Sequence, residues 1–234
     1  MNHGWALAGG LVGIPIGAAL RGVVYRNSVP SGSPLRTACP SCGQELPRWL
    51  LRCGRCRGRI TVPLVFELAT ATVLALILGR FAGQWELGAL AFLGVLGVAL
   101  ATIDVAVQRL PDRLTLPAYP IVAALLGIAA ILDGDVATLG RALLGGLVLA
   151  TSFYLLAALR PGALGLGDVK LAGLLGLALG WLGWPVLITG AALSFVLFAV
   201  VSLVLLAARR ITLRSHIAFG PFMLAGALIA AVAL

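Results

Sequence analysis

Charged side chains are scarce in this sequence, which contains 8 acidic and 17 basic residues among 234. Two stretches, 88–103 and 185–208, carry no charged residue at all. Apolar residues make up 61% of the chain, more than a water-soluble domain of this length can hide, because its outer layer must still meet water. Since about 20 apolar residues in a helix span a bilayer, the scarcity of charge predicts an all-α polytopic membrane protein.

Histidine is almost absent, and the sequence has no H-E-x-x-H motif and no evident serine–histidine pair. His3 and His216 both lie close to the ends of apolar segments, and neither is given a role. Nothing therefore supports a zinc-protease or serine-protease mechanism. Residues 1–20 also lack Lys and Arg, whereas a cleavable secretory signal begins with positive charge. We expect the first apolar segment to stay in the membrane.

Eight apolar segments are predicted to be transmembrane helices. Their approximate bounds are 4–24, 63–80, 87–104, 114–132, 138–158, 169–182, 185–207 and 217–234. The sixth segment is short and rich in glycine, which leaves open a half-span or a fusion with its neighbour. We divide the chain into residues 1–62, a first helix with a small zinc-ribbon-like loop, and residues 63–234, the transmembrane core.

Basic residues are concentrated in alternate connections: 25–62, 105–113, 159–168 and 208–216. Loops rich in Lys and Arg face the cytoplasm, so these four are predicted to be cytoplasmic and both termini to face outward. The same distribution explains the net charge of +9 without nucleic acid, and no nucleic-acid partner is expected. The arginines concerned are Arg26, Arg36, Arg48, Arg52, Arg55, Arg57, Arg59, Arg109, Arg113, Arg160, Arg209, Arg210 and Arg214.

Asp104 ends the third segment on the predicted cytoplasmic side, within an apolar stretch rather than a polar loop. An ionisable residue there is energetically costly and indicates a functional site. The alternative is a carboxylate at a helix end that pairs with Arg109 or Arg113.

Asp168 precedes the sixth segment, on the same predicted face as Asp104, within G-L-G-D-V-K at 165–170. Gly165 and Gly167 lack Cβ atoms and allow another backbone, such as a peptide substrate, to approach the carboxylate. Two neighbouring aspartates can share one proton, so that one activates water while the other polarises the scissile carbonyl. The alternative is that Asp168 only caps its helix.

Asp112 competes with Asp104 for the catalytic assignment. It stands just before the fourth segment, where helix capping accounts for it, and we favour a structural or substrate-positioning role. A function of another class stays open, a proton- or ion-coupled transporter or scaffold with buried aspartates. Its expected marks, inverted repeats and charged residues near mid-span, are not evident.

The cysteines all fall in one predicted cytoplasmic loop, as Cys39-x-x-Cys42 and Cys53-x-x-Cys56. Two such pairs are typical of a tetrahedral Zn²⁺ site. Disulfides are the alternative, but the predicted compartment is reducing. Because four thiolates leave no open coordination position, the zinc would be structural rather than catalytic.

These features together resemble the bacterial type IV prepilin peptidase family, over almost the whole chain. The resemblance is carried by the paired C-x-x-C motifs, by Asp104 followed by L-P-D-x-L-T-L-P at 110–117, by G-x-G-D-x-K at 165–170, and by F-G-P-F at 219–222. The family's catalytic aspartates correspond to Asp104 and Asp168. Gly165, Gly167, Asp112 and Lys170 are then expected to bind substrate or shape the loops.

The resemblance implies a bacterial inner-membrane aspartic peptidase that removes a basic leader from prepilins or pseudopilins near the cytoplasmic face. Many members also methylate the new N-terminus with S-adenosylmethionine. This chain departs from the family pattern at Ala18-Ala19-Leu20-Arg21, where Ser-Phe-Leu-Asn is usual, although Tyr25 and Arg26 remain. The loop between the cysteine pairs is shorter, and Glu67 stands one position later than the common spacing.

Overall fold

The computed structural model describes residues 2–30, 33–46, 53–56, 64–159, 164–212, 215 and 217–234. Several of the predicted cytoplasmic arginines lie outside these ranges, as do His216 and the predicted boundary between 62 and 63. The arginines outside the described residues are Arg48, Arg52, Arg57, Arg59, Arg160 and Arg214.

Eight α-helices make up the described fold, as the apolar segments predict. They are α1 (His3–Asn27), α2 (Val65–Phe81), α3 (Leu87–Val107), α4 (Asp112–Asp133), α5 (Val136–Leu159), α6 (Leu166–Leu182), α7 (Trp184–Ala207) and α8 (Gly220–Ala233). Gly183, with φ of 127°, separates α6 from α7, so the sixth segment is a helix of its own. No strand is present in the described ranges, where an isolated bridge pairs Ala38 with Glu45.

Five of the helices, α1, α3, α4, α5 and α7, are long and apolar enough to cross a membrane. The others are shorter: α2 and α6 have 17 residues and α8 has 14. At 1.5 Å per residue, 17 residues extend about 26 Å, slightly less than the ~30 Å hydrocarbon core. The all-helical polytopic class predicted from composition is confirmed.

Helix α6 forms the centre of the bundle. Every residue from 171 to 181 is buried, and the helix packs against α4, α5, α7 and α8. A helix that is apolar on all sides belongs in such an interior position. At its far end the carbonyls of Gly180 and Trp181 accept bonds of 2.9 and 2.6 Å from the Arg141 side chain, which satisfies terminal carbonyls that the helix cannot pair. The N-terminus of this buried helix carries Asp168.

Small residues let two pairs of helices approach backbone to backbone. In α1, a Cβ on Gly13 would lie 2.4 Å from Ala71 Cα of α2, and Gly9 and Gly17 are equally close to that helix. In α5, a Cβ on Gly145 would lie 2.7 Å from a carbonyl oxygen of α6. Because lipid offers no hydrophobic driving force between spans, such close contact holds helices together by van der Waals packing.

An ion pair crosses the interface between α1 and α2, where the Arg21 guanidinium contacts the Glu67 carboxylate. Both side chains are mostly buried, with 16% and 9% of their surfaces exposed. Arg21 Nε, Glu67 Oε2 and the neighbouring Thr70 hydroxyl have no hydrogen-bond partner within the described ranges. The two family departures noted in the sequence, Arg21 and the shifted Glu67, therefore meet in space.

Candidate active site and cysteine cluster

Asp104 lies in the last turn of α3 and is 5% exposed. Its Oδ2 accepts a 3.0 Å hydrogen bond from the backbone N–H of Gly220, the first residue of α8. A Cβ at position 220 would lie 2.7 Å from the same oxygen, so the approach requires glycine. The carboxylate is thus held by an amide at a helix N-terminus, where negative charge is favoured.

Asp168 is the third residue of α6. Its Oδ2 accepts a 3.2 Å hydrogen bond from the N–H of Gly165, and the Asp168 N–H returns a 3.0 Å bond to the Gly165 carbonyl. This reciprocal arrangement resembles a capping box, so the capping interpretation of Asp168 accounts for one of its oxygens. Unlike Asp104, the residue is only half-buried.

One cavity of about 580 Å³ connects the two carboxylates. All six residues that the sequence singled out around this site line the cavity: Asp104, Asp112, Gly165, Gly167, Asp168 and Lys170. The pairing of Asp104 with an arginine finds no support, because the ion pairs in the described part of the chain are Arg21–Glu67 and Lys170–Asp112.

Asp112 does not cap α4, and that interpretation is wrong. The N-cap position belongs to Pro111, and no side chain caps the helix. Instead Lys170 Nζ donates a 2.6 Å hydrogen bond to Asp112 Oδ1 across the cavity rim, with both side chains partly exposed. The hydroxyl of Tyr119 in α4 donates to the Lys170 carbonyl at 2.6 Å, so two bonds join α4 to the start of α6.

The two glycines of the 165–170 segment differ in their surroundings. A Cβ on Gly167 would lie 3.2 Å from Leu110 Cβ, so this glycine makes room for Leu110. A Cβ on Gly165 would meet Asp168 Oδ2 at 3.6 Å, an ordinary contact. The space beside Gly165 is therefore the more open of the two.

Aromatic rings form the wall of the cavity that faces α7 and α8, and the sequence reasoning gave them no role. Phe195, Phe198 and Phe219 line it, with ring centroids of neighbouring pairs 5.2 and 5.3 Å apart. Phe153 and Phe222 extend the cluster behind them. The F-G-P-F motif at 219–222 was the available signal: it supplies two of these rings and the amide that holds Asp104.

The four cysteines converge as their spacing predicts. All four Sγ atoms lie within 4.8 Å of one another, with Cys39–Cys56 at 3.7 Å and Cys42–Cys53 at 3.4 Å. These separations exceed the ~2.05 Å of a disulfide and are close to the ~3.8 Å that tetrahedral ligands 2.3 Å from a metal require. The donor set therefore fits a metal ion.

Local backbone hydrogen bonds shape the cysteine turn and change the pKa of its thiols. Cys39 and Gln44 close a tight turn with a 2.8 Å N–H to carbonyl bond, and Gly43 adopts φ of 72° within it. Backbone N–H groups of Cys56 and Arg55 lower the pKa of the Cys53 thiol below its ordinary value, whereas the adjacent Cys53 side chain raises the pKa of the Cys42 thiol to about 12. A lowered pKa favours the thiolate, the form that binds metal.

The cysteine turn is docked on the end of α1 by two residues that match the family pattern. The Tyr25 hydroxyl donates to the Ala38 carbonyl at 2.8 Å, and Arg26 Nη2 donates to the Leu46 carbonyl at 2.7 Å. Tyr25 also packs against the buried cluster formed by Cys39, Leu46 and Cys53. Helix α1 therefore positions the cysteine turn directly.

Comparison with known proteins agrees with these features. The profile of the type IV leader peptidase family matches residues 90–232, a range that includes Asp104, Asp168 and Gly220. Three proteins named prepilin leader peptidase/N-methyltransferase are similar. The one from Pseudomonas aeruginosa is 32% identical over 203 residues, covering 80% of this chain and 68% of that protein. Those from Neisseria gonorrhoeae and Burkholderia pseudomallei are 33% and 34% identical, covering 79% and 82% of this chain.

The chain spans about two thirds of the length of these relatives, 66% for the Neisseria protein and 65% for the Burkholderia protein. No solved structure matches the chain. The family match covers more than half of the sequence, and the relatives extend the similarity to about four fifths of it. The chain belongs to the type IV leader peptidase family.

Proposed function

We propose that the protein is a membrane aspartic endopeptidase that cleaves the basic leader peptide of type IV prepilins or pseudopilins. The observation that carries this proposal is the shared cavity, which Asp104 and Asp168 both line where α3 ends and α6 begins. Membership of the peptidase family and the names of the relatives support the same substrate class.

The chemistry requires one ionised and one protonated carboxyl group. The ionised aspartate takes a proton from water as the water oxygen attacks the scissile carbonyl carbon. The protonated aspartate donates its proton to the carbonyl oxygen, so a neutral tetrahedral diol forms. When the diol collapses, the C–N bond breaks. The aspartate that took the proton from water gives it to the leaving amine, and the other aspartate takes a proton from a diol hydroxyl, which restores the starting pair. Two carboxyl groups that share one cavity favour this division, since both cannot easily ionise together.

The predicted orientation of the protein in the membrane supports cleavage at the cytoplasmic face. Basic connections flank the cavity, and such loops remain cytoplasmic. Among the described basic residues, Arg109 and Lys170 line the cavity itself. A substrate with an apolar helix in the bilayer and a basic leader in the cytoplasm would present its junction at this depth. We therefore assign the protein to the bacterial inner membrane, with residues 63–234 as the peptidase core and 1–62 as an accessory unit.

The proposal is tested by reconstituting the full chain with a prepilin in vesicles and following loss of the leader by mass spectrometry. Cleavage at the junction between the leader and the apolar helix would support it. Proton-linked uptake by the same vesicles without any cleavage would instead favour the transporter alternative.

A second activity, N-methylation of the new N-terminus with S-adenosylmethionine, is supported by the N-methyltransferase in the relatives' names. When S-adenosylmethionine is added to the reconstituted reaction, we expect the cleaved product to gain the mass of one methyl group. A reaction without the methyl donor is the control, and should give the same cleaved product unmodified. A product that stays unmodified with the donor present would restrict the chain to peptidase activity.

We assign Zn²⁺ to the cysteine cluster, as a structural ion held by Cys39, Cys42, Cys53 and Cys56. When bound, zinc would fix the loop by linking the two cysteine pairs through bonds to one ion, a link that four free thiols cannot provide. We expect elemental analysis of purified protein to find one zinc per chain, and Cys42→Ser to lose most of it because three thiolates hold the ion less tightly. A fully folded wild-type preparation without metal would contradict this assignment.

A further inference from the structure

The turn at 108–112, between α3 and α4, contacts the segment that carries the second carboxylate. It begins one residue after α3, the helix of Asp104, and its Leu110 packs against Gly167. The residue that ends it, Asp112, pairs with Lys170. The turn therefore braces the start of α6 against the end of α3, and its position bears on the separation of the two aspartates.

Arg109 fastens this turn to a distant part of the chain. Its Nη1 donates a 3.0 Å hydrogen bond to the carbonyl of Pro30, 79 residues earlier. Pro30 lies three residues beyond the end of α1, and its carbonyl also accepts a 3.2 Å bond from the Ser33 N–H. The Pro30 carbonyl thus joins the turn at 108–112 to the segment that leads into the cysteine loop.

Residues near Pro30 in sequence, on both sides of it, form contacts that lead to the cysteine cluster. The Arg36 N–H donates to the Arg26 carbonyl at 3.2 Å, and the Arg36 guanidinium lies 5.6 Å from the centre of the Tyr25 ring. Tyr25 and Arg26 in turn hold the cysteine turn through its carbonyls. From the cysteine turn, contacts therefore run through Tyr25 and Arg26 to Arg36, and the chain from Arg36 back to Ser33 leads to the Pro30 carbonyl. Such packed and hydrogen-bonded groups can carry energetic coupling between two sites.

We propose that Arg109 is a positioning residue that couples the cysteine loop to the active site. When the cysteine loop is ordered, the bond from Arg109 to Pro30 holds the turn at 108–112 in place, and this turn sets the positions of Asp104 and Asp168. The proposal rests on the aspartic peptidase function stated above. Arg109 acts through the turn and takes no proton itself. A metal-bound loop holds Pro30 in place, and the guanidinium holds the turn to Pro30.

The test compares Arg109→Met, Arg109→Lys and Arg113→Met in the full chain. Arg109→Met keeps much of the apolar length but removes the donors, and we expect kcat for prepilin cleavage to fall about tenfold with little change in KM. Arg109→Lys keeps a charged donor and should recover part of the loss. Arg113, exposed one turn further on, is the matched control, and its substitution should leave kcat near the wild-type value.

Amide hydrogen exchange of the peptide covering 105–112 gives a readout that does not depend on activity. In wild type, removing metal with a chelator should raise exchange in this peptide, while the buried residues 171–181 stay protected. In Arg109→Met, exchange should already be raised and chelation should add little. If chelation no longer raises exchange of residues 105–112 in Arg109→Met, the effect in wild type depends on Arg109 and is not a general loss of stability.

The proposal is overturned if chelation leaves exchange of 105–112 unchanged in wild type, or if Arg109→Met and Arg113→Met behave alike. Failure of the peptidase assignment would look different. In that case wild type would not cleave prepilin, or the aspartate variants would still cleave it. The hydrogen-exchange comparison would then still test whether the cysteine loop is coupled to the turn at 108–112, because it does not depend on cleavage.

Discussion

Replacing Asp104 or Asp168 by Asn is expected to lower prepilin cleavage by roughly 10³-fold or more in each case, because an amide can neither take a proton from water nor donate an acidic one. Asn has the shape of Asp, so the cavity that both residues line should persist. Since the two aspartates act as one unit, the double variant should be little worse than either single variant. Rates are measured with co-reconstituted prepilin, and folding by thermal stability in detergent.

Two further carboxylates serve as controls for this experiment. Asp133→Asn makes the same change at the end of α4 away from the cavity, and should cleave at the wild-type rate. Asp112→Asn removes only a partly exposed ion pair with Lys170, so a modest loss is expected. If Asp112→Asn abolished cleavage while Asp104→Asn retained it, the catalytic pair would be misassigned.

Gly220→Ala is expected to lower kcat/KM about a hundredfold, although Gly220 bears no reactive group. A Cβ there would lie 2.7 Å from Asp104 Oδ2 and 3.3 Å from its Cγ, so the carboxylate must move. Displacement of a catalytic group by about 1 Å can cost that much. The 3.0 Å bond from the Gly220 N–H would be lost in the same movement. Steady-state cleavage kinetics give the measurement.

Gly127→Ala is the matched control for this change. Gly127 lies inside α4, and a Cβ there would meet nothing within 4 Å. We expect this variant to cleave as wild type does, with equal or slightly greater stability, since alanine is the better helix former. Full activity in Gly220→Ala would mean that the amide contact does not set the position of Asp104.

The helices were predictable because length and apolar composition suffice to define them in a membrane protein. The alternation of basic connections predicts from the sequence alone that Asp104 and Asp168 lie at one face of the membrane. That inference needed only the count of spans between them. The shared cavity follows from it once α3 and α6 are packed in one bundle.

The contacts that complete the site could not be derived in this way, because they join residues far apart in sequence. Gly220 and Asp104 are 116 residues apart, and no local pattern relates them. The capping interpretation of Asp112 failed for the same reason: capping is a local rule, whereas its partner Lys170 lies 58 residues away. The aromatic wall likewise requires knowing how α7 and α8 face the cavity.

The buried pair between Arg21 and Glu67 restricts how these two positions can evolve. Loss of either partner alone would strand a charge between α1 and α2, at a cost of about 3–5 kcal/mol. Replacement of both by apolar residues of similar volume is often neutral or even favourable. A single substitution at either position is therefore expected to destabilise the protein, whereas an uncharged interface between α1 and α2 requires two changes at once. The pair is therefore expected to be replaced as a unit more easily than one partner at a time.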